Sequence, residues 1–177
     1  MTLGHKLVGK LNVIRQAENG ERFSLKQSGE DSGYVIKERM DGIDLQIEIE
    51  DFDKFSYMVK TISLTCLQAP PPTTSLKELL LRQSAEIERR ISYLLESFRL
   101  VEVDEFNCLA QVRSVTPYRK NEDRLYYEVL LQHGNSMTFT RYSKQRLAEK
   151  RDVVPSHLTQ EIFERLVDDL AAVMQLG

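Results

Sequence analysis

Nine basic side chains face only four acidic ones between residues 113 and 151, and five aromatic rings interleave with them. Guanidinium and ammonium groups hold phosphates, and aromatic rings offer faces on which bases stack. The binding patch this predicts is Arg113, Arg119, Lys120, Arg124, Arg141, Tyr142, Lys144, Arg146, Lys150 and Arg151, with Tyr118, Tyr126, Tyr127 and Phe139 alongside. No motif of a nucleic-acid module accompanies it, and on alternating strands half of the rings must face a core. Solvated loop charge is the competing reading of the same residues.

The opposite charge gathers earlier. From Asp41 to Asp53 there are six acidic residues and no basic one, giving an acidic patch of Asp44, Glu48, Glu50, Asp51 and Asp53. Carboxylates clustered at a turn can hold a divalent cation, but the regular Asp and Gly spacing of a calcium loop is missing. Alternating carboxylates also make the polar face of an ordinary amphipathic strand and discourage promiscuous edge pairing. No metal and no cofactor is expected.

Other chemistry finds little footing. His5, His133 and His157 have no ligand at metal spacing, the serines lack nucleophile-elbow glycines, and no glycine occurs between Gly42 and Gly134 to cradle a phosphate. Glu86-Ile87-Glu88-Arg89-Arg90 resembles the alternating acidic and basic signature of the triphosphate tunnel enzymes. That signature is a strand motif, whereas here it falls on a helix, and it carries no family assignment. Cys66 and Cys108 sit among apolar neighbours outside any paired-cysteine motif, as free thiols in a reducing compartment do.

The elements that must position these residues are easier to read. Pro70, Pro71 and Pro72, followed by Thr73, Thr74 and Ser75, supply no amide donors and interrupt helix and sheet alike. They divide the chain into an N-terminal β-meander (1–69), a connector (70–75) and a helix–meander–helix unit (76–177), expected to form one compact body. In the first part, Ile43, Leu45, Ile47 and Ile49 alternate with Asp44, Gln46, Glu48 and Glu50, the pattern of a half-buried strand. Asp41-Gly42 predicts a hairpin to Tyr34–Arg39, and Phe55–Leu67 a third strand. Asn19-Gly20 suggests a further hairpin joining Leu11–Ala17 to Arg22–Gln27, although Leu3, Leu7, Leu11 and Ile14 also recur at helical spacing.

In the last part, Ser75 and Glu78 form a capping box opening a helix, whose stripe Leu76, Leu79, Leu80, Ile87, Ile91, Leu94, Leu95 and Phe98 extends it to about residue 97. Strands are predicted over 99–103, 108–115, 125–132 and 137–142, the last two joined around Gly134-Asn135. Residues 143–154 read as a charged surface loop, and Thr159 caps a helix over 160–174. The fold class expected is α+β, with about eight or nine antiparallel strands in one strongly bent sheet or two packed sheets, covered by two long amphipathic helices.

With 177 residues and a formal net charge of −3, the chain has no global attraction for nucleic acid or anionic lipid. No membrane-length apolar run or export signal is visible, which predicts a cytoplasmic protein. The functional expectation is a non-enzymatic protein-binding or assembly module, with self-association into a homodimer. The alternatives are a nucleic-acid binder using the basic, tyrosine-rich second meander, and a carrier enclosing a small apolar ligand.

Overall fold

The computed structural model describes residues 1–18, 33–71, 73–115, 118–120, 123–145 and 150–176. The chain is α+β, with three helices and one open antiparallel sheet of ten strands among the described residues. The segment Leu3–Glu18 is a helix, α1, not the strand expected over Leu11–Ala17. Its proposed partner, 22–27, lies outside the described residues. The helical spacing prevailed because α1 has something to bury: Leu3, Leu7, Val8 and Leu11 enter the core, and the helix packs on the last helix of the chain. The contact is close at Gly4, where a Cβ would sit 2.3 Å from the Glu164 carbonyl oxygen, and the Gly4 amide donates to Asp168 Oδ1 at 2.7 Å.

Strands β1 (Tyr34–Met40), β2 (Ile43–Phe52) and β3 (Ser56–Cys66) form the expected meander. Asp41 and Gly42 take φ of 51° and 76°, the conformation that a two-residue hairpin requires. Ile43, Leu45, Ile47 and Ile49 are all buried, so the aliphatic side of the alternation is the core side.

After the connector, α2 (Leu76–Arg90) starts where Ser75 Oγ accepts the Glu78 amide at 3.4 Å. It ends about seven residues sooner than the apolar stripe suggests. Ile91, Leu94 and Phe98 are nonetheless buried, while Leu95 has φ of 61° and is 96% exposed. The spacing of these residues reflects a shared core and not a continuing helix. The chain must turn back here to set Phe98 opposite Ser114, and Tyr93 anchors the turn by donating to Asp169 Oδ2 at 3.0 Å.

The second meander comprises β4 (Phe98–Asp104), β5 (Leu109–Ser114), the short β6 (Tyr118–Lys120), β7 (Asp123–Gln132) and β8 (Ser136–Lys144). The β7–β8 turn centres on His133 and Gly134, both with positive φ, one residue earlier than expected. Leu79 and the Gln83 amide, which donates to the Gly134 carbonyl at 2.9 Å, press α2 onto it. Residues 143–154 are not one loop. β8 runs to Lys144, β9 occupies Asp152–Val153, and 146–149 lie outside the described residues.

The strand order is β1-β2-β3-β8-β7-β5-β4, with β3 pairing β8 across Thr61–Thr65 and Ser136–Thr140. Beyond that stretch the two strands part. β9 pairs with β8 and β10 (Ser156–Thr159) with β3, so the segment 152–159 fills the opening as a wedge. Thr159 Oγ1 then accepts the Ile162 amide at 3.4 Å and opens α3 (Gln160–Met174). One hydrophobic core takes side chains from all three helices and from one face of the sheet. The other face carries Gln46, Ser63, Thr138, Leu130 and Gln111 in register on β2, β3, β8, β7 and β5, mostly polar residues. No helix among the described residues is long and apolar enough to cross a membrane.

Candidate functional site

On the polar face, β5, β7 and β8 bring part of the basic patch around a residue that was not among its candidates. Glu128 is 3% exposed and accepts Arg113 Nε at 2.7 Å, Gln111 Nε2 at 3.0 Å, and the Arg151 guanidinium at 2.6 and 2.9 Å. A buried carboxylate needs such partners. Cross-strand register places Arg113 directly opposite Glu128, and Arg151 reaches in from the approach to β9. Arg151 also donates to the Tyr126 hydroxyl at 3.3 Å.

The aromatic faces are covered in the same way. The Arg151 guanidinium lies 3.8 Å over the Tyr142 ring, and that of Arg113 lies 5.4 Å over Tyr126. Tyr126 and Tyr142 face one another across β7 and β8 with centroids 5.9 Å apart. Arg141, on the opposite face of β8, sits 5.1 Å over the buried Tyr127 ring with its Nε enclosed. Thus Arg113, Arg141, Arg151 and Tyr142 are tied into the sheet. Arg124 and Lys144 are exposed and paired in register at the end of β7 and β8, and Lys150 is exposed nearby. Arg119 and Lys120 lie on β6, beside Arg124 and Asp123. Arg146 lies outside the described residues.

The acidic patch does not converge. Asp44 pairs with Arg39 across the β1–β2 hairpin, and Glu50 lies 3.8 Å from Lys60. Glu48 stands between Val35 and Thr61, and Asp51 Oδ1 accepts its neighbour's amide from Phe52 at 2.8 Å. Asp53 Oδ1 accepts the Phe55 and Ser56 amides at 2.7 Å each, and these backbone donors hold its carboxyl below the usual range. Its work is to make the β2–β3 turn. Among the described residues, no group of three or more His, Cys, Asp or Glu is placed to hold a metal.

A groove of about 520 Å³ lies open on the polar face, bordered by Lys37, Arg39, Asp44, Gln46, Ser63 and Thr65. The sheet edges differ sharply from this polar surface. At the β1 edge, Lys10 Nζ donates to the Lys37 carbonyl at 2.8 Å and Lys6 Nζ to the Arg39 carbonyl at 3.3 Å. Both lysines also pair with Glu38, at 2.7 and 3.1 Å. The β4 edge has a bulge between Leu100 and Glu102 and is held at one point, where Glu88 accepts the Leu100 amide at 2.8 Å.

Large apolar side chains are exposed along β4 and in the segments that flank it: Leu95 (96% exposed) before it, Val101 (51%) on it, Phe106 (94%) after it, and Val115 (47%) just past β5. Val115 joins the group because its amide donates to the Ser97 carbonyl at 2.9 Å. Sequence reasoning missed this cluster by placing Leu95 in a helical stripe. Phe106, an aromatic residue in the polar turn Asp104–Asn107, was the available signal.

Among the described residues the fold is two-layered α+β, with the helices on one sheet face and exposed apolar side chains along the β4 edge. Compared with protein-family models, curated proteins and solved structures, the chain matches none.

Proposed function

We propose that this chain is a non-enzymatic, cytoplasmic protein-binding or assembly module that makes its contacts through the β4 edge. The observation that carries this reading is the exposure of Leu95, Val101, Phe106 and Val115 around one terminal strand. Apolar side chains left exposed along one strand edge and its two flanking turns support an interaction site there. An unpaired edge strand adds an independent reason for a neighbour there. Cys66 and Cys108, both free thiols, are in keeping with a reducing compartment.

The competing readings draw less support. A nucleic-acid surface on the second meander needs open tyrosine faces and unengaged cations, yet Arg113 and Arg151 cover Tyr126 and Tyr142 and bind Glu128. A carrier needs an enclosed apolar cavity, and the 520 Å³ groove on the polar face is open and bordered mainly by polar residues.

The test is the double substitution Leu95→Ser with Phe106→Ser. It is expected to leave the melting temperature nearly unchanged and to abolish the associations that the wild-type chain makes, followed by sedimentation velocity and by pull-down. Retention of every association would overturn the reading. So would tight, salt-sensitive binding of short single-stranded RNA at physiological ionic strength that is lost on changing Arg124 and Lys144 to Glu.

A further inference from the structure

We infer that the β4 edge is an isologous interface whose occupant is a second copy of this chain, related by a two-fold axis that passes beside Val101. The inference rests on the protein-binding reading and identifies the partner. A two-fold interface requires one surface to complement itself, so that residue i meets j and j meets i. The order of exposed groups along this edge has that property. Beside the polar Ser97 and Asn107, and Glu105, whose charge Lys77 already meets, the order reads Leu95, Arg99, Val101, Glu102, Phe106: apolar, cationic, apolar, anionic, apolar.

When a second copy is laid antiparallel against the first, the register that sets Arg99 against the second copy's Glu102 also brings Leu95 alongside the second copy's Phe106. Each of these contacts occurs twice, and Val101 lies near its own copy at the centre. The β-bulge makes the charge pairing possible. Residues three apart on a regular strand point to opposite faces. The extra residue between Leu100 and Glu102 returns Glu102 to the face of Arg99, and both register with polar-face residues of β5, Gln111 and Arg113.

Both charges are accessible for this purpose. Glu102 is exposed, and Arg99, whose side chain is 64% exposed, meets Glu88 through Nη1 at 2.9 Å while keeping other donors. Glu88 occupies the Leu100 amide, so the contact is made by side chains of the edge and its flanking turns and not by a continuous strand ladder. The seven residues of β4 span about 23 Å at roughly 3.3 Å per residue.

Among the described residues the opposite edge is capped instead, Lys6 and Lys10 donating to its Arg39 and Lys37 carbonyls. Charge complementarity also selects the second copy over a partner of uniform charge, since one acidic or one basic partner would satisfy only half of the pattern.

The experiment measures mass by sedimentation equilibrium for the wild type, for Arg99→Glu, for Glu102→Arg, and for an equimolar mixture of the two variants. Circular dichroism and thermal melts establish that each is folded, and Val101→Asp serves as a second disruptive variant in case Arg99→Glu is unsettled by Glu88. The wild type is expected to dimerise in the micromolar range. Each charge reversal should raise the dimer dissociation constant at least about tenfold by setting like charges opposite one another. Mixing should restore a dimer, now a heterodimer, because one variant is doubly cationic and the other doubly anionic at the edge.

A monomeric wild type, dimeric single variants, or a mixture that stays monomeric would each overturn the inference. If the wild type is monomeric but Leu95→Ser with Phe106→Ser still abolishes binding to another protein, only the second-copy assignment falls. If that double change affects no association, the module reading falls with it.

Discussion

The two edges of the sheet solve the same physical problem in different ways. A terminal strand exposes unpaired amides and carbonyls that invite another strand. At β1, α1 supplies two lysines whose ammonium groups bind the Lys37 and Arg39 carbonyls and also Glu38. At β4, the device is a bulge and a single carboxylate from α2, and apolar side chains stand exposed at the centre and at both ends. The two edges thus differ in chemistry: β1 is capped by charged groups from α1, whereas the β4 edge combines apolar exposure with a bulge and a cap from Glu88.

Buried and exposed positions at the two edges separate this comparison most strongly. Ile36→Asp, in β1 and fully inside the core, is expected to destabilise the protein by about 3–5 kcal/mol because it buries an unpaired charge. Val101→Asp on β4 should change monomer stability by less than about 1 kcal/mol and act on association instead. Denaturant melts read the first and sedimentation the second. Equal losses of stability would mean that Val101 is packed and that the edges are alike.

Removing the caps of the closed edge should make it resemble the open one. Lys6→Met with Lys10→Met is expected to reduce stability by about 1 kcal/mol, since the ion pairs are partly exposed, and to introduce association beyond the wild-type dimer. A variant of unchanged stability and mass would show that the lysines do not guard β1.

The same cap has a pH signature. Hydrogen bonding to Lys6, joined by Lys10, holds the Glu38 carboxyl at about 2, below its ordinary 4.5, despite the opposing effect of burial. A carboxylate with a lowered folded-state value stabilises the protein fully above its unfolded value. That contribution is lost as pH falls from about 4.5 towards 2. The stability of the wild type should therefore decline through this window, and the double Met variant should decline less steeply. Parallel pH profiles from thermal melts would contradict the role of the lysines.

The smallest effect belongs to the single cap at β4. Glu88→Ala should cost less than about 1 kcal/mol while accelerating hydrogen exchange at the Leu100 amide, because the carboxylate that accepts it is gone. Unchanged exchange at that amide would mean that Glu88 is not what closes this point of the edge.

Much of the fold was legible from short-range chemistry. The alternation over Ile43–Glu50 and the Asp41-Gly42 turn specify the β1–β2 hairpin, since period-two burial and positive φ are properties of neighbouring residues. Ser75 and Thr159 specify two helix starts for a similar reason, each hydroxyl meeting an amide three residues on. The candidate site was less legible. Nine cations among few acids looked like a binding surface, but the effect of a charge depends on what lies across the strand. One buried carboxylate, Glu128, engages two of those arginines, and only register reveals it.

Tertiary structure decided the remainder. Leu3, Leu7, Leu11 and Ile14 admit a strand or a helix locally, and the choice went to a helix because α3 and the core accept that apolar stripe. The run from Ile87 to Phe98 looks like one helix by spacing, yet it breaks after Arg90 because Phe98 must join the sheet opposite Ser114. The resulting turn leaves Leu95 outside, on the same edge as Val101 and Phe106. Residue types and spacing carry local preference, whereas the position of an edge, and of the apolar groups left on it, follows from pairings between strands far apart in the chain, such as β3 with β8.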